Sequence, residues 1–316
     1  MSRSQEMLVR AATLYYLDGM SQAQVAEAIG VSRPNVSRVL AEARRSGVIE
    51  IAITITDSVG RAAELEHALK RNFDIHDARV ARGPDPELTR IGRLGADWLV
   101  TEAPAEGTVS LAWGSTIQAV VRAVDVETPL PNLEILPLAG GLSIVESEQD
   151  CNVLVRELAH RFGARDRRLN APAVVASPEL REAFLREPSI RAVLSDAARA
   201  DIALVGVGAV GSGSSAAIVE HAAFDPSDAA AFAASGAVGD CCFRYFDAQG
   251  SPVVSPLDER VVAVKLDDLR DVGVVEAMAA GSAKAAAVRA ALAGGFVDVL
   301  VVDEPLARAL LPQPGR

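Results

Sequence analysis

The hydrophobic positions of the first 46 residues recur at the three-to-four-residue spacing of amphipathic helices. This spacing occurs in residues 7–17, between Ser21 and Gly30, and again after Ser32. It predicts three short helices at the start of the chain. Residues 47–55 then alternate between apolar and polar positions, which predicts a strand or wing that leaves the helical segment.

Capping residues mark where the second and third helices begin and end. Ser21 and Gln24 form the S-x-x-Q pattern of a capping box, and Gly30 provides the residue that a helix end with positive φ requires. Ser32 is a good N-cap, and Pro34 falls in the first turn of the third helix, where its missing N–H costs little. These signals predict two helices joined by a tight turn.

The side chains at the helix crossing favour one arrangement of these helices. Counting from Gln22, a small residue (Ala26) is fifth, Gly30 is ninth, and β-branched Val36 and Val39 are fifteenth and eighteenth. A tight two-helix crossing needs these residue types at these places, and a generic helical hairpin does not. The segment is therefore predicted to be a trihelical helix-turn-helix DNA-binding unit.

The third helix carries the positive charge that DNA binding requires. Residues 32–46 hold four Arg and one acid, a local net charge of +3, although the whole chain has a net charge of −11. A solvated helix face is the alternative interpretation of such a cluster. We predict that residues at the start of the second helix, on the turn and on the third helix contact bases or phosphates: Gln22, Ser32, Arg33, Asn35, Ser37, Arg38, Arg44 and Arg45.

From about residue 61 onward, short apolar runs alternate with helical patterns. Such alternation predicts a doubly wound, Rossmann-like α/β domain with a parallel sheet. We place the domain boundary near residue 57, which gives domains 1–56 and 57–316. Helices are predicted at 62–71, 88–100, 117–124, 152–162, 283–292 and 305–311, and strands at 78–81, 108–113, 134–138, 201–207, 261–264, 274–278 and 297–302.

Composition narrows the class of protein. Of 316 residues, half are hydrophobic and only three are Cys, so the chain can bury a core and shows no disulfide framework. No signal peptide and no apolar run long enough for a membrane span is visible, which predicts a cytoplasmic protein. The four His are dispersed and the adjacent Cys241 and Cys242 lack C-x-x-C spacing, so we expect neither a metal nor a cofactor.

Candidate ligand-binding residues follow the predicted strands, where parallel sheets bind ligands. Gly114, Ser115 and Thr116 form an anion cradle at a helix start, and the glycine pair 140–141 allows close backbone approach. Residues 206–211 read G-x-G-x-x-G, but Ser-Gly-Ser-Ser follows them where a dinucleotide site has a clear helix, so a plain ligand loop is favoured over a nicotinamide site. Asp240 is either a hydroxyl acceptor or a turn residue, and Lys284 is either a phosphate ligand or a surface lysine.

Several segments together resemble the SorC family of sugar-binding transcriptional regulators. They include SQAQVAEAIGVSRPNVSRVLAEARRSGVIEIAI near the start, and LAWGSTIQAV, ILPLAGGL, DIALVGVGAVG, GAVGDCCFRYFDAQG and AMAAGSAKAAAVRAALAGGFVDVLVVDEPLARALL further on. The resemblance covers almost the whole chain in the family's order. It implies an effector-binding and oligomerisation domain of the sugar-phosphate isomerase and deaminase type, a phosphorylated sugar as effector, operator DNA as partner, and dimers or tetramers.

The resemblance also assigns roles to individual residues. Residues 114–116 and Lys284 match the family's phosphate-binding positions, Gly140 and Gly141 match its glycine loop beside the sugar, and Asp240 matches its hydroxyl-binding acid. One departure is Ala280, since the family commonly has glycine there, and the extra methyl group is expected to narrow the loop before Lys284.

The two function hypotheses differ in the chemistry they require. An effector-responsive DNA-binding regulator of a carbohydrate operon needs a binding site alone. The alternative, a sugar-phosphate isomerase or deaminase with an added helical domain, needs acid–base groups. No paired carboxylates and no Asp–His pair are evident at the predicted strand ends, which favours the regulator over the enzyme.

Overall fold

The computed structural model describes residues 3–17, 20–46, 48, 60–83, 85, 87–142, 147–222 and 224–312. The chain divides into two compact units, Met1–Thr56 and Asp57–Arg316. The strand predicted at residues 47–55 lies outside the described residues apart from position 48, which is a bend.

The smaller unit consists of three helices around a small apolar core. They are α1 (Arg3–Ala12), which continues as a π-helical turn (Thr13–Leu17), α2 (Gln22–Ile29) and α3 (Arg33–Arg45). The first helix therefore begins before residue 7, and its last turn is wider than an α-helical turn. The buried residues at its centre are Ala11, Val25, Ala26, Val36 and Leu40.

The predicted caps of α2 are confirmed. The Ser21 hydroxyl accepts a hydrogen bond from the Gln24 amide, and the Gln24 side chain accepts one from the Ser21 amide at 2.9 Å. Gly30 ends the helix in the left-handed region with φ of +71°. Local sequence thus sets the length of α2 and the turn that follows it.

The larger unit is organised around a mainly parallel sheet. Within the described residues this sheet has eight strands in the order β1-β2-β11-β10-β6-β3-β4-β5, and only the pairing of β1 with β2 is antiparallel. A second, antiparallel sheet has the order β7-β8-β9. The strands are β1 (Gly60–Arg61), β2 (Asp77–Arg82), β3 (Glu106–Leu111), β4 (Asn132–Pro137), β5 (Arg165–Asp166), β6 (Ile202–Gly206), β7 (Gly208–Ala209), β8 (Gly239–Cys241), β9 (Arg244–Phe246), β10 (Val274–Ala279) and β11 (Val299–Asp303).

Helices cover both faces of the main sheet. Side chains alternate along β6, so Ile202 and Leu204 face one apolar cluster while Ala203 and Val205 face the other. This burial on both sides confirms the predicted doubly wound α/β architecture. The helices of the larger unit are α4 (Ala63–Asn72), α5 (Glu87–Glu102), α6 (Ser115–Ala123), α7 (Cys151–Phe162), α8 (Pro178–Arg186), α9 (Pro188–Ala197), α10 (Gly213–His221), α11 (Pro226–Ala234), α12 (Ala285–Ala293) and α13 (Glu304–Leu310).

Four of these helices and the small sheet were not predicted from the sequence. None of the residues of α8 is fully buried, and α11 buries only Phe232, so neither segment shows a continuous apolar stripe. The strands of the small sheet are two or three residues long, too short for an alternating pattern to be recognised. The expectation that no clear helix follows residues 206–211 was wrong, since α10 begins at Gly213.

The prediction of a strand at residues 261–264 was also wrong. This segment makes only isolated bridges, Ala139 with Ala263 and Val174 with Val261. The buried Arg244 guanidinium accounts for the difference, because it donates hydrogen bonds to the carbonyls of residues 261, 263 and 264. Those carbonyls are therefore occupied by a side chain, and no regular ladder forms.

Candidate ligand cavity and DNA-binding surface

A cavity of about 70 Å³ lies at the carboxyl ends of β3 and β6. These strands are parallel neighbours, so the loops that follow them meet at one edge of the sheet. The small sheet, the start of α10 and the turn before α12 complete the wall. The lining residues are Ala112, Trp113, Gly114, Ser115, Thr116, Gly206, Val207, Gly208, Ser214, Ser215, Asp240, Cys242 and Lys284.

The first wall of the cavity is the N-terminus of α6. Gly114 precedes the helix with φ of +109° and provides no side-chain cap, so the first amides of α6 are not occupied by a capping side chain. Thr116 is buried there, and a Cβ at Gly206 would lie 3.2 Å from its hydroxyl oxygen. Free amides, hydroxyl groups and the helix dipole together suit an anion.

Asp240 forms the second wall of the cavity, and one of its two carboxylate oxygens has no hydrogen-bond partner among the described residues. It is 6% exposed, and among the described residues its Oδ1 has no hydrogen-bond partner. Burial raises the pKa of Asp240 to about 6, while a hydrogen bond from Ser215 and the charge of Lys284 act in the opposite direction. A buried acceptor without a partner is costly, so a ligand hydroxyl that donates to it would be stabilised.

The backbone makes room for this carboxylate. Gly208 on β7 lies opposite Asp240 on β8, and a Cβ at Gly208 would lie 2.0 Å from Oδ1. A side chain at position 208 would therefore displace the carboxylate. The second glycine of the G-x-G-x-x-G segment is thus required by Asp240, a role that does not involve a dinucleotide.

Lys284 brings a positive charge to the same cavity. Its Nζ donates a hydrogen bond to the Val207 carbonyl at 2.9 Å. Burial lowers the pKa of Lys284, and the nearby carboxylates of Asp240 and Glu87 oppose that shift. The ammonium group is therefore held at the cavity wall, near the Asp240 carboxylate.

A pair of carboxyl groups lies behind the turn that carries Lys284. Asp303 Oδ1 accepts hydrogen bonds from the amides of Gly281, at 3.1 Å, and Leu306, at 3.3 Å. A hydrogen bond with Asp303 is the main reason that the pKa of Glu87 rises to about 7, with burial and the charge of Asp303 adding to it. The sequence pattern did not show this pair, because Glu87 at the start of α5 and Asp303 at the end of β11 are far apart in the chain.

Not all of the residues predicted to bind the effector lie in the cavity. Residues 114–116, Asp240 and Lys284 line the cavity, whereas Gly140 and Gly141 do not. The Gly140 amide donates to the Val262 carbonyl at 3.0 Å, and a Cβ there would lie 2.5 Å from the Ala171 carbonyl oxygen. Close backbone packing accounts for Gly140 without a ligand.

Other lining residues were not predicted as part of the site. Ser214 and Ser215 reach the cavity from α10, and their only sequence signal is the serine-rich stretch after Gly211. Trp113 lines the cavity and stacks on Phe243, with ring centroids 5.0 Å apart and planes 10° apart. Cys242, next to Phe243, is also in the wall, and both have positive φ in the tight turn between β8 and β9.

The helix-turn-helix unit exposes the side chains predicted to contact DNA. The side chains are exposed at Ser32, Arg33, Asn35, Ser37 and Arg38, and half-buried at Gln22. The side chains of residues 44 and 45, which were also predicted to contact DNA, lie outside what the structure describes. One polar face therefore spans the turn and the first half of α3, opposite the face that packs in the core.

Membrane-spanning helices and metal clusters are both absent from the described residues. No helix among them is long and apolar enough to cross a membrane. In the same residues, no group of three or more His, Cys, Asp or Glu is positioned to hold a metal ion.

Comparison with known proteins agrees with both parts of the molecule. Residues 57–312 match a family described as "Putative sugar-binding domain", and residues 8–59 match the Crp-like helix-turn-helix domain. The deoxyribonucleoside regulator of Bacillus subtilis is 28% identical over 97% of both chains. The sorbitol operon regulator of Klebsiella pneumoniae is 27% identical over 96% of this chain and 97% of its own.

A solved structure extends this similarity to the whole fold. The full-length sorbitol operon regulator SorC of Klebsiella pneumoniae superposes with a TM-score of 0.74 and 26% identity, over 98% of this chain and 100% of that chain. A helix-turn-helix unit joined to a ligand-binding α/β domain defines a transcriptional regulator and not an enzyme. The chain belongs to the SorC family of sugar-binding transcriptional regulators, through its match to the sugar-binding domain family.

Proposed function

We propose that this regulator binds operator DNA through α3 and that a phosphorylated sugar in the cavity changes its DNA affinity. The exposed polar face of α3, with Arg33 and Arg38, supports the first part. We also propose that the DNA-binding domain ends, and the effector-binding domain begins, near residue 57. The protein is proposed to act in the cytoplasm, where its operator is.

One observation carries the choice of effector. The N-terminus of α6, the Lys284 ammonium and the partnerless Oδ1 of Asp240 converge on one cavity. The first two favour an anion and the third favours a hydroxyl donor, so a molecule with both groups satisfies all three. A sugar phosphate has this chemistry, and no metal is needed to hold it.

Calorimetric titration with a panel of sugar phosphates tests this assignment. A charge-assisted hydrogen bond contributes about 1.5–3 kcal/mol, so Lys284→Met is expected to weaken binding of the responding ligand by roughly ten- to a hundredfold. Effector-free DNA binding should stay the same. Lys70→Met is the matched control, because Lys70 lies on α4 and pairs with Asp77 at 3.3 Å, outside the cavity. Equal affinity of wild type and Lys284→Met would contradict the assignment.

A further inference from the structure

The turn that carries Lys284 lies between two carboxyl groups to which the proposed function gives no role. Asp303, at the end of β11, is 2% exposed, and its Oδ1 accepts a hydrogen bond from the Gly281 amide at 3.1 Å. Glu87, at the start of α5, approaches the same glycine, since a Cβ at Gly281 would lie 4.0 Å from its Oε1. Gly281 therefore has one carboxyl group on its amide and another beside its α-carbon.

Gly281 connects these carboxyl groups to the effector cavity. It adopts a φ of +87°, and its carbonyl accepts a hydrogen bond from the Lys284 amide at 3.0 Å, which closes the turn. The Lys284 ammonium then reaches the cavity wall, where it donates to the Val207 carbonyl at 2.9 Å. The position of the Gly281 backbone therefore sets where this positive charge lies.

The contact between the two carboxyl groups needs a proton. The side chains of Glu87 and Asp303 are hydrogen-bonded to each other, and one carboxyl group must be protonated to donate. Asp303 Oδ1 already accepts from the amides of Gly281 and Leu306, as an ionised carboxylate does, which leaves Glu87 as the donor. In agreement, this hydrogen bond, with burial adding to it, raises the pKa of half-buried Glu87 to about 7.

Other charged groups near Glu87 are already engaged or oppose its protonation only in part. Lys284, from the turn, and Arg90, one turn further along α5, both act to lower the pKa of Glu87. The Arg90 guanidinium is bound to carbonyls of the loop between β2 and α5, and Arg82 of β2 is bound to carboxylates of α4 and α13. Among the described residues, α6 and β10 have no charged side chain at this end.

We propose that Glu87, in its protonated form, is a positioning residue of the effector site. Its hydrogen bond to Asp303 holds the turn at Gly281, and so Lys284, in the arrangement that binds an anion. This inference rests on the proposed function, because it takes Lys284 as the ligand of the effector's anionic group. When Glu87 loses its proton to solvent, two carboxylates face each other beside the turn, and both their mutual repulsion and the added negative charge weaken anion binding.

Sulfate is a suitable probe, because its charge stays constant between pH 6 and pH 8.5, whereas a phosphate group titrates near this range. Glu87→Gln has no charge, and its amide can still donate to Asp303. Calorimetric titration of both full-length proteins gives the ratio of their sulfate affinities at each pH. A titration of Lys284 itself affects both proteins and leaves this ratio unchanged. The ratio should be about one at pH 6 and about ten in favour of the variant at pH 8.5, which corresponds to a shift of about one unit in the pKa of Glu87 on binding.

Glu87→Ala separates positioning from charge, because it removes the charge and the hydrogen bond together. It should bind sulfate more weakly than Glu87→Gln at every pH. Glu102→Gln makes the matched change at an exposed position at the other end of α5, and it should have the sulfate affinity of wild type throughout the range.

Two results would overturn the role of Glu87: an affinity ratio of Glu87→Gln to wild type that does not change with pH, or equal affinities of Glu87→Ala and Glu87→Gln. If Lys284→Met loses sulfate binding while either result is found, the anion site of the proposed function stands and only the role of Glu87 is wrong. If sulfate does not bind wild type, or binds Lys284→Met equally well, the anion site is wrong and the role of Glu87 is wrong with it.

Discussion

Glu276 is buried at the centre of the main sheet, and its carboxyl group has no hydrogen-bond partner among the described residues. It is on β10 with a relative exposure of 0%, and a Cβ at Gly95 of α5 would lie 3.3 Å from its Oε1. Burial raises the pKa of Glu276 well above 4.5, a shift that the charge of Arg79 only partly offsets. Burial thus favours the neutral form of this side chain in the folded protein.

Because the pKa of Glu276 is higher in the folded than in the unfolded protein, the free energy of unfolding depends on pH. Because the folded pKa exceeds the unfolded one, the contribution of Glu276 is fully present below the unfolded pKa and is lost as pH rises towards the folded pKa. Glu276→Gln should match wild type near pH 4 and gain about 1.4 kcal/mol relative to wild type for each pH unit above the unfolded pKa, up to the folded one. Urea unfolding at several pH values measures this difference.

Glu106→Gln is the control for that experiment, because Glu106 is exposed at the start of β3. The difference between the control and wild type should not change with pH in the same way. A stability difference between Glu276→Gln and wild type that stays constant from pH 4 to pH 8 would contradict a buried neutral carboxyl group.

Single arginines on α3 should govern operator affinity. Arg33→Ala and Arg38→Ala should each weaken operator binding by about 1–3 kcal/mol if the residue contacts a base through two hydrogen bonds. Folding should not change, because both side chains are exposed. Gel-shift titration measures the effect, with Arg71→Ala on the exposed face of α4 as the control. Unchanged affinity in both variants would remove these residues from the DNA-contact surface.

At the scale of the element, caps and turns hold the functional surfaces in place. The capping box of Ser21 fixes the start of α2, and Gly30 fixes the turn into α3. In the larger unit, Gly114 is the N-cap position of α6, and Gly281, with φ of +87°, precedes the turn that carries Lys284. The DNA-contact and cavity residues thus lie close to helix starts or turns that a capping residue or a glycine defines.

Ser21→Ala tests the capping box directly. Loss of an N-cap side chain costs about 1 kcal/mol, which corresponds to roughly fivefold faster opening of α2. Amide hydrogen exchange of the full-length protein should show this acceleration in α2 and α3. Amides of β6, in the other unit, are the internal control and should be unaffected. If the α2 amides of the variant exchanged at the wild-type rate, packing alone would set the stability of α2.

Ala280 shows how local packing accommodates a residue that differs from the glycine common in the family. The sequence predicts that its methyl group narrows the loop before Lys284. The structure packs this partly buried side chain against the apolar cluster that includes Ile91 and Ile117. The effect of Ala280 on effector size remains a prediction, but its methyl group has a hydrophobic contact that glycine lacks.

At the scale of the whole molecule, charge distribution affects how DNA is bound. Residues 1–56 have a net charge of +1 and the remaining residues have −12, so the body of the protein repels DNA. Specific contacts must therefore provide most of the affinity. One helix-turn-helix unit covers one half-site, which favours an assembly that presents two units.

We therefore expect at least a dimer on an operator with two related half-sites about one helical turn or more apart. Light scattering at micromolar concentration should give a mass of two chains or a multiple of two. DNA with a single half-site is the control and should bind much more weakly. A monomer with full operator affinity would contradict this expectation.

The sequence by itself determined the features that depend on neighbouring residues. The helices and caps of the small unit and most strands of the main sheet follow from apolar spacing and capping residues, which act over a few positions. Five predicted cavity residues, 114–116, Asp240 and Lys284, also line one cavity. Three of them follow directly from their place at a strand end, and the family resemblance supported the other two.

Only the tertiary structure decided which distant residues meet. The order of the strands brings β3 beside β6, so residues from five separate segments share the cavity. Arg244 prevents a strand at residues 261–264, Gly140 packs against Ala171, and Glu87 pairs with Asp303. These contacts join residues far apart in the chain, and their energies depend on distance and burial, which no local spacing encodes.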